Sequence, residues 1–163
     1  MNARKIPDDI RLAAFDVDGV FTDGRFYLSD DGVETKAFST QDGFGIKKLI
    51  AANIHVAVIS SRTSRAVEKR MSELGVRHVI QGAPDKAAAF ESLVAVLQLT
   101  DEQCVYVGDD VPDLPVLRRV GYAVAVANAV EEVSRQCDYQ TRAAGGFGAV
   151  REVCELLLAA RAS

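Results

Sequence analysis

Asp16 and Asp18 stand two residues apart, after the apolar run Leu12–Phe15 and immediately before Gly19. If that run is a buried strand, both carboxylates leave the sheet at its carboxyl end and on one side of the chain. That is where open parallel sheets bind ligands. Two acids so close need a proton or a cation between them. The plain alternative is that one caps a turn and the other is solvated. Other reactive side chains fall at the ends of apolar runs in the same way. Ser60 closes His55–Ile59, Lys86 follows Asp85 at a helix start, and Asp109, Asp110 and Asp113 follow Cys104–Val107 and Gly108.

Each has an ordinary reading when taken alone. Serine is common at strand ends, Asp110 suits a helix N-cap with Asp113 at N3, and a surface lysine is usually solvated. Together they are more specific. If the strands ending at Phe15 and Val107 are neighbours, acids from both converge, a set of hard oxygen donors without His or Cys that suits Mg²⁺. A lysine set against the dipole of a helix start implies a local anion. Ser60 and nearby N–H groups could hold one. A carboxylate nucleophile, a second acid, a hydroxyl, a lysine and a metal-binding acid are the parts needed for phosphoryl transfer through an aspartyl-phosphate. If Asp18 holds a proton beside an ionised Asp16, those two are expected to titrate as a coupled pair. No GxxxxGK[ST] loop is present, which argues against a P-loop nucleotide hydrolase.

The elements that must position these groups alternate along the chain. Met1–Asp9 reads as a loose lead-in and Ile10–Phe15 as the first strand. Arg25–Leu28 and Val33–Phe38 flank Ser29-Asp30-Asp31-Gly32 as a hairpin. Helical spacing of Phe44, Ile46, Leu49 and Ile50 predicts a helix from Asp42 to about Asn53. Strand His55–Ile59, helix Ser64–Leu74 stopped by Gly75, strand Val76–Ile80 and a helix from Asp85 to Leu97 follow. Strand Cys104–Val107, a short helix Val111–Val120, strand Tyr122–Val126, a helix near Ala129–Arg135 and a last helix from Ala149 to about Ala160 complete the chain. Strands this apolar, separated by helices, predict a Rossmann-like α/β fold: a parallel sheet covered on both faces, with the hairpin inserted after strand one and no cap domain. A single domain spanning 1–163, with the hairpin at about 25–38, is expected.

Composition narrows the partners. The chain of 163 residues is 48% hydrophobic and 26% charged, as ordinary globular proteins are. A net charge of −4 argues against nucleic acid as a partner. Cys104, Cys137 and Cys154 show neither disulfide nor zinc spacing and read as buried thiols of a reducing compartment. His55 and His78 are far apart in sequence with no ligand pattern. No signal peptide and no membrane-length apolar run is seen, so a cytoplasmic protein without a membrane partner is expected.

The ordered pattern resembles the haloacid dehalogenase superfamily of phosphatases. Its DxDGxxTD pattern is met by Asp16–Asp23, its Ser/Thr by Ser60, its lysine by Lys86 and its GDDxxD by Gly108–Asp113. Within that superfamily the resemblance narrows to small phosphatases of 3-deoxy-D-manno-octulosonate 8-phosphate, an intermediate of lipopolysaccharide precursor synthesis. It does so through DVDGVFTDGRFYLSDDG, QDGFGIK, QGAPDK and GGFGAVREV. The resemblance implies Asp16 as nucleophile and Asp18 as general acid and base, with Mg²⁺ on Asp16, the Asp18 carbonyl and Asp109. It implies Ser60 and Lys86 on the phosphoryl group, and Asp110 and Asp113 supporting from behind. Substrate contacts would come from Ser39, Thr40, Gln41, Asp42, Gly43, Lys47, Arg62 and Arg70, some from a neighbouring subunit of a homotetramer. Gln41, Ser61 and Phe147 depart from residues usual in that group. Two alternatives remain at this point, a phosphatase of a nine-carbon sialic-acid-type phosphate and a non-catalytic receiver-like domain.

Overall fold

The computed structural model describes residues 4–162. Met1–Ala3 of the expected lead-in lie outside them, and Arg4–Asp9 form neither helix nor strand. β1 (Leu12–Phe15) is followed by a small antiparallel pair, β2 (Tyr27–Leu28) and β3 (Glu34–Thr35), then α1 (Thr40–Ala51), β4 (His55–Ile59), α2 (Arg65–Leu74), β5 (His78–Ile80) and α3 (Lys86–Leu97). β6 (Cys104–Gly108), α4 (Leu114–Leu117), β7 (Tyr122–Ala125), α5 (Glu131–Ser134), β8 (Tyr139–Gln140) and α6 (Ala149–Ala162) complete it.

The main sheet has six strands in the order β5-β4-β1-β6-β7-β8, all paired in parallel. Counting its own strands along the chain, that order is 3-2-1-4-5-6, the doubly wound arrangement whose direction reverses between the first and fourth strands. β1 is therefore central and pairs with both β4 and β6. The crevice at the reversal opens at the carboxyl ends of β1 and β6, the two strands followed by Asp16 and Asp109.

Alternation along β1 divides the core. Ala13 and Phe15 face a cluster with Val67 and Met71 of α2, Ile46 and Leu49 of α1, and Val153 and Leu157 of α6. Leu12 and Ala14 face the opposite cluster, with Phe90 of α3, Leu117 of α4 and Val133 of α5. Burying a side chain of this kind contributes about 1.5–3 kcal/mol, and both faces of β1 are fully sealed. Local signals place the helix ends. Ser39 accepts from Asp42 N at the start of α1, Asp85 accepts from Ala88 N at the start of α3, and Gly75 closes α2 at φ 80°.

The structure corrects several expectations. The hairpin strands are two residues each, and Phe38, expected on the hairpin, packs against the main core. The helix expected over Val111–Val120 is a 3₁₀ turn at Val111–Asp113 leading into four residues of α4, because Pro112 and Pro115 withhold N–H donors. β8 is a strand that the sequence reading lacks. His55 and His78, distant in sequence, have ring centroids 5.9 Å apart, brought together by β4–β5 pairing. Cys104 and Cys154 are buried free thiols, but Cys137 is only half-buried. Among the described residues no helix is long and apolar enough to cross a membrane.

Candidate active site

Asp16 continues the line of β1 by donating its N–H to Val107 O at 2.9 Å, and its side chain is buried where the strand ends. The chain then turns sharply. The Val17 carbonyl accepts from the N–H groups of Val20, Phe21 and Thr22, and Thr22 Oγ1 accepts from Gly19 N and Gly24 N. Gly19 has φ +88°, and a Cβ there would lie 1.9 Å from Asp109 Oδ2. Both the left-handed backbone and the contact require glycine. A second clamp holds this turn from behind: Asn128 donates to Gly19 O at 3.0 Å and accepts from Gly145 N.

Lys86 and Asp113 form the floor. Lys86 Nζ is 2.7 Å from Asp16 Oδ1 and 2.8 Å from Asp113 Oδ1, and both partners are buried. Those carboxylates are the local anion implied by a lysine at a helix start. The Tyr106 hydroxyl donates to Asp113 Oδ1 at 2.8 Å, and Asp113 Oδ2 accepts from Asp109 N and Asp110 N. Asp113 is thus saturated by four donors and fixes the loop carrying Asp109. Asp110 is a cap, accepting from Val111 N. The Ser60 hydroxyl accepts from Arg62 N at 3.3 Å, and Ser60 is buried at the end of β4. A cavity of about 270 Å³ opens among Asp16, Asp18, Ser60, Arg62, Lys86 and Asp109, with Gly24, Ser61, Asp110, Pro112 and Asp113 on its rim and floor.

Burial and then the Asp113 charge push the Asp16 carboxyl up to about 6, against the pull of Lys86. Burial, followed by Asp16 and Asp113, pushes Asp109 up to about 8. Burial would lower Lys86, but Asp16 and Asp113 outweigh it and raise it. Asp16 and Asp109 are thus raised together at the ends of neighbouring strands. Asp18 lies within the turn, and its carboxylate faces Lys36 and Arg62. Oxygens of Asp16, Asp109 and Asp113 lie within 4.8 Å of one another, and Asp109 Oδ1 is buried with no hydrogen-bond partner. An unpartnered hard oxygen beside a crowded carboxylate, with no nitrogen or sulfur ligand near, fits Mg²⁺. Asp16 and Asp109 have the free capacity; Asp113, already saturated, serves them as a support.

The remaining expected contacts are placed elsewhere in this protomer. Ser39 caps α1. Asp42 is buried, with one oxygen accepting from Arg151 N and the other unpartnered. Arg70 lies over Gly43, where a Cβ would be 2.5 Å from its Nη2. Thr40, Gln41 and Lys47 are exposed. None of these lines the cavity of Asp16. Arg62 does, held by Glu34 Oε2 at 2.6 Å and by the Phe26 ring 4.4 Å beneath it. The sequence reading missed Lys36, Glu34, Tyr106 and Asn128. The signals for three of them are modest. Glu34 and Lys36 share one side of a strand by their i, i+2 spacing, and Tyr106 carries a hydroxyl in an otherwise apolar strand two residues before Gly108.

A haloacid dehalogenase-like hydrolase family profile matches residues 78–152. The 3-deoxy-D-manno-octulosonate 8-phosphate phosphatase KdsC of Escherichia coli K12 is 47% identical over 154 residues, covering 94% of this chain and 82% of that protein. The chain belongs to the haloacid dehalogenase-like hydrolases, within their 3-deoxy-D-manno-octulosonate 8-phosphate phosphatase family. Two solved structures show how far this hydrolase shares that backbone. The phosphatase of Yersinia pestis has a TM-score of 0.94 at 46% identity, over 95% of this chain and 84% of that one. That of Moraxella catarrhalis, solved with magnesium, phosphate and a KDO molecule, has a TM-score of 0.93 at 44% identity, over 95% and 89%. The receiver-like alternative falls here, since receivers order their strands 2-1-3-4-5 and this hydrolase does not.

Proposed function

We propose that the protein hydrolyses 3-deoxy-D-manno-octulosonate 8-phosphate to the free sugar acid and phosphate, through an aspartyl-phosphate on Asp16 and with Mg²⁺, in lipopolysaccharide precursor synthesis. The observation that carries this reading is the buried Asp16–Lys86–Asp113–Asp109 cluster at the sheet's reversal point, in a chain of that phosphatase family.

Asp16 is the nucleophile. Lys86 holds one of its oxygens, which leaves the other to attack phosphorus in line. Asp16, the Asp18 main-chain carbonyl and Asp109 would hold Mg²⁺, which would supply positive charge toward the phosphoryl oxygens. Lys86 and the Ser60 hydroxyl bind and orient the phosphoryl group from the protein side. Asp18 gives its proton to the leaving sugar oxygen and then takes one from the water that cleaves the acyl phosphate. Asp113 and Tyr106 keep Lys86 and Asp109 in place. Arg62 faces the substrate's carboxylate, for which a planar guanidinium is suited.

The same reading takes the enzyme as a cytoplasmic homotetramer joined through hairpins. Phe26, Tyr27, Leu28 and Val33 are 40–70% exposed on strands of two residues, and an isolated two-stranded hairpin is marginal in water. Some of Ser39–Gly43, Lys47 and Arg70 then reach a neighbour's site instead of their own.

The test is phosphate release with Mg²⁺ across sugar phosphates, including eight- and nine-carbon keto-acid phosphates, for wild type and Asp16→Asn. The eight-carbon ester is expected to be the preferred substrate, and the variant to lose turnover while keeping its melting temperature within a few degrees. Wild-type turnover by Asp16→Asn would refute the covalent route. Preference for the nine-carbon ester would reassign the substrate.

A further inference from the structure

Lys36 has a fully covered side chain, yet it projects from the hairpin, the most exposed element of the chain. Its ammonium bonds Asp18 Oδ1 and lies 3.4 Å from Glu34 Oε1. Glu34 in turn binds Arg62, whose Nε is 3.9 Å from Asp18 Oδ2. The underside of the hairpin thus presents a closed network of charges to one carboxylate. The two oxygens of that carboxylate are not equivalent. Oδ1 has an ionic hydrogen bond, whereas Oδ2 has only a guanidinium nitrogen beyond hydrogen-bond reach.

We propose that Lys36 is a positioning residue for the phosphatase reaction: by pinning Asp18 Oδ1 it aims Oδ2 at the reacting oxygens. This rests on the acid–base reading of Asp18 given above. Because the Lys36 side chain is covered, its ammonium serves a protein partner and not the substrate. Asp18 also sits within the turn built on Val17 O, outside any strand or helix. Its backbone is fixed there, but its side-chain direction is set by Lys36. In the first half-reaction an Asp16 oxygen bonds to phosphorus, and the bond from phosphorus to the sugar oxygen breaks as the Oδ2 proton moves to that oxygen. In the second, a water oxygen bonds to phosphorus, its proton passes to Oδ2, and the bond from phosphorus to Asp16 breaks. Phosphate leaves, Asp16 is again a carboxylate and Asp18 is again protonated. Both transfers need Oδ2 aimed at the reacting oxygen, and a misplaced acid–base group loses much of the hundredfold to ten-thousandfold such groups supply.

The experiment compares wild type, Lys36→Met and Lys36→Gln on the eight-carbon sugar phosphate and on p-nitrophenyl phosphate, with Mg²⁺. For the sugar ester, Lys36→Met is expected to lower kcat about tenfold to a hundredfold with KM within about twofold. Nitrophenolate departs without needing a proton, so acyl-phosphate formation keeps its rate while breakdown slows. A stoichiometric burst of nitrophenolate, absent in wild type, is therefore expected. Lys36→Gln keeps a donor and should fall between the two; if circular dichroism shows Lys36→Met unfolded, the same burst is read on Lys36→Gln. A raised KM with kcat retained, equal losses on both esters without a burst, or no loss at all would overturn the assignment. A wild type inactive on both esters would instead refute the phosphatase reading itself, and the assignment with it.

Discussion

Without a divalent cation the protein should lose stability as the pH rises from 5 to 8, and Mg²⁺ should restore it mainly at the upper end. Asp16 and Asp109 are held at about 6 and about 8 by burial first and by neighbouring carboxylates second. Both values lie above the ordinary 3.8. A carboxyl raised in the folded state keeps its proton there at a pH where the unfolded chain has released it. Stability then falls with pH, from about 4 through about 6 for Asp16 and on to about 8 for Asp109. The displacement of Asp16 alone corresponds to roughly 3 kcal/mol. For a chain of this size that is roughly 6–12 °C of melting temperature. Asp42, raised by burial, acts in the same direction. His78, lowered by burial and then by His55, acts against it near 6.5. Mg²⁺ at a hundred times its dissociation constant adds about 2.7 kcal/mol, and less at pH 5, where protons compete for the same oxygens. The assay is a thermal melt of EDTA-treated protein at pH 5, 6, 7 and 8, with and without Mg²⁺, beside Asp109→Asn. The variant should lose the decline between 6 and 8. A metal-free melting temperature that is flat or rising over this range would refute the reasoning, as would equal stabilisation by Mg²⁺ at pH 5 and pH 8.

Two other outcomes follow from residues at the cavity mouth. Arg62→Ala should raise KM for the keto-acid sugar phosphate about tenfold to a hundredfold and barely change p-nitrophenyl phosphate; steady-state kinetics with equal losses on both would remove Arg62 from specificity. Multi-angle light scattering should find a tetramer that Leu28→Asp weakens, and a monomer at full specific activity would remove the hairpin interface.

The sheet was legible because its central strands are short apolar runs, each ended by a glycine, serine or acid that marks where the chain leaves the core. Leu12–Phe15, His55–Ile59 and Cys104–Gly108 needed no other signal. β8 was not legible, since Tyr139–Gln140 is two residues long with a polar outer edge and no alternation to read. Asp16, Ser60, Lys86 and Asp109 could be read from their positions at strand ends. The pairing of acids could not. Spacing joined Asp16 to Asp18, but the turn on Val17 O sends Asp18 toward the hairpin and leaves Asp109, far away in sequence, as the neighbour of Asp16. Lys36 escaped for the opposite reason: a lysine among Ser, Asp, Gly and Glu reads as solvated, and only the folded hairpin shows it covered.

The clamp behind the first loop bears on how the enzyme is made. Asn128 reaches Gly19 O from 109 positions further along the chain. Gly145 and Gly146 press so closely on Gly19, Thr22 and Asp23 that a Cβ on either would overlap backbone atoms. During synthesis Asp16, Ser60, Lys86 and Asp109 have all emerged before that wedge exists. A chain made only as far as Asp109 has every reactive side chain but an unfastened turn between Asp16 and its partners. Contacts of such long range form late. The growing chain is therefore chemically equipped before its first loop is clamped by Asn128, Gly145 and Gly146.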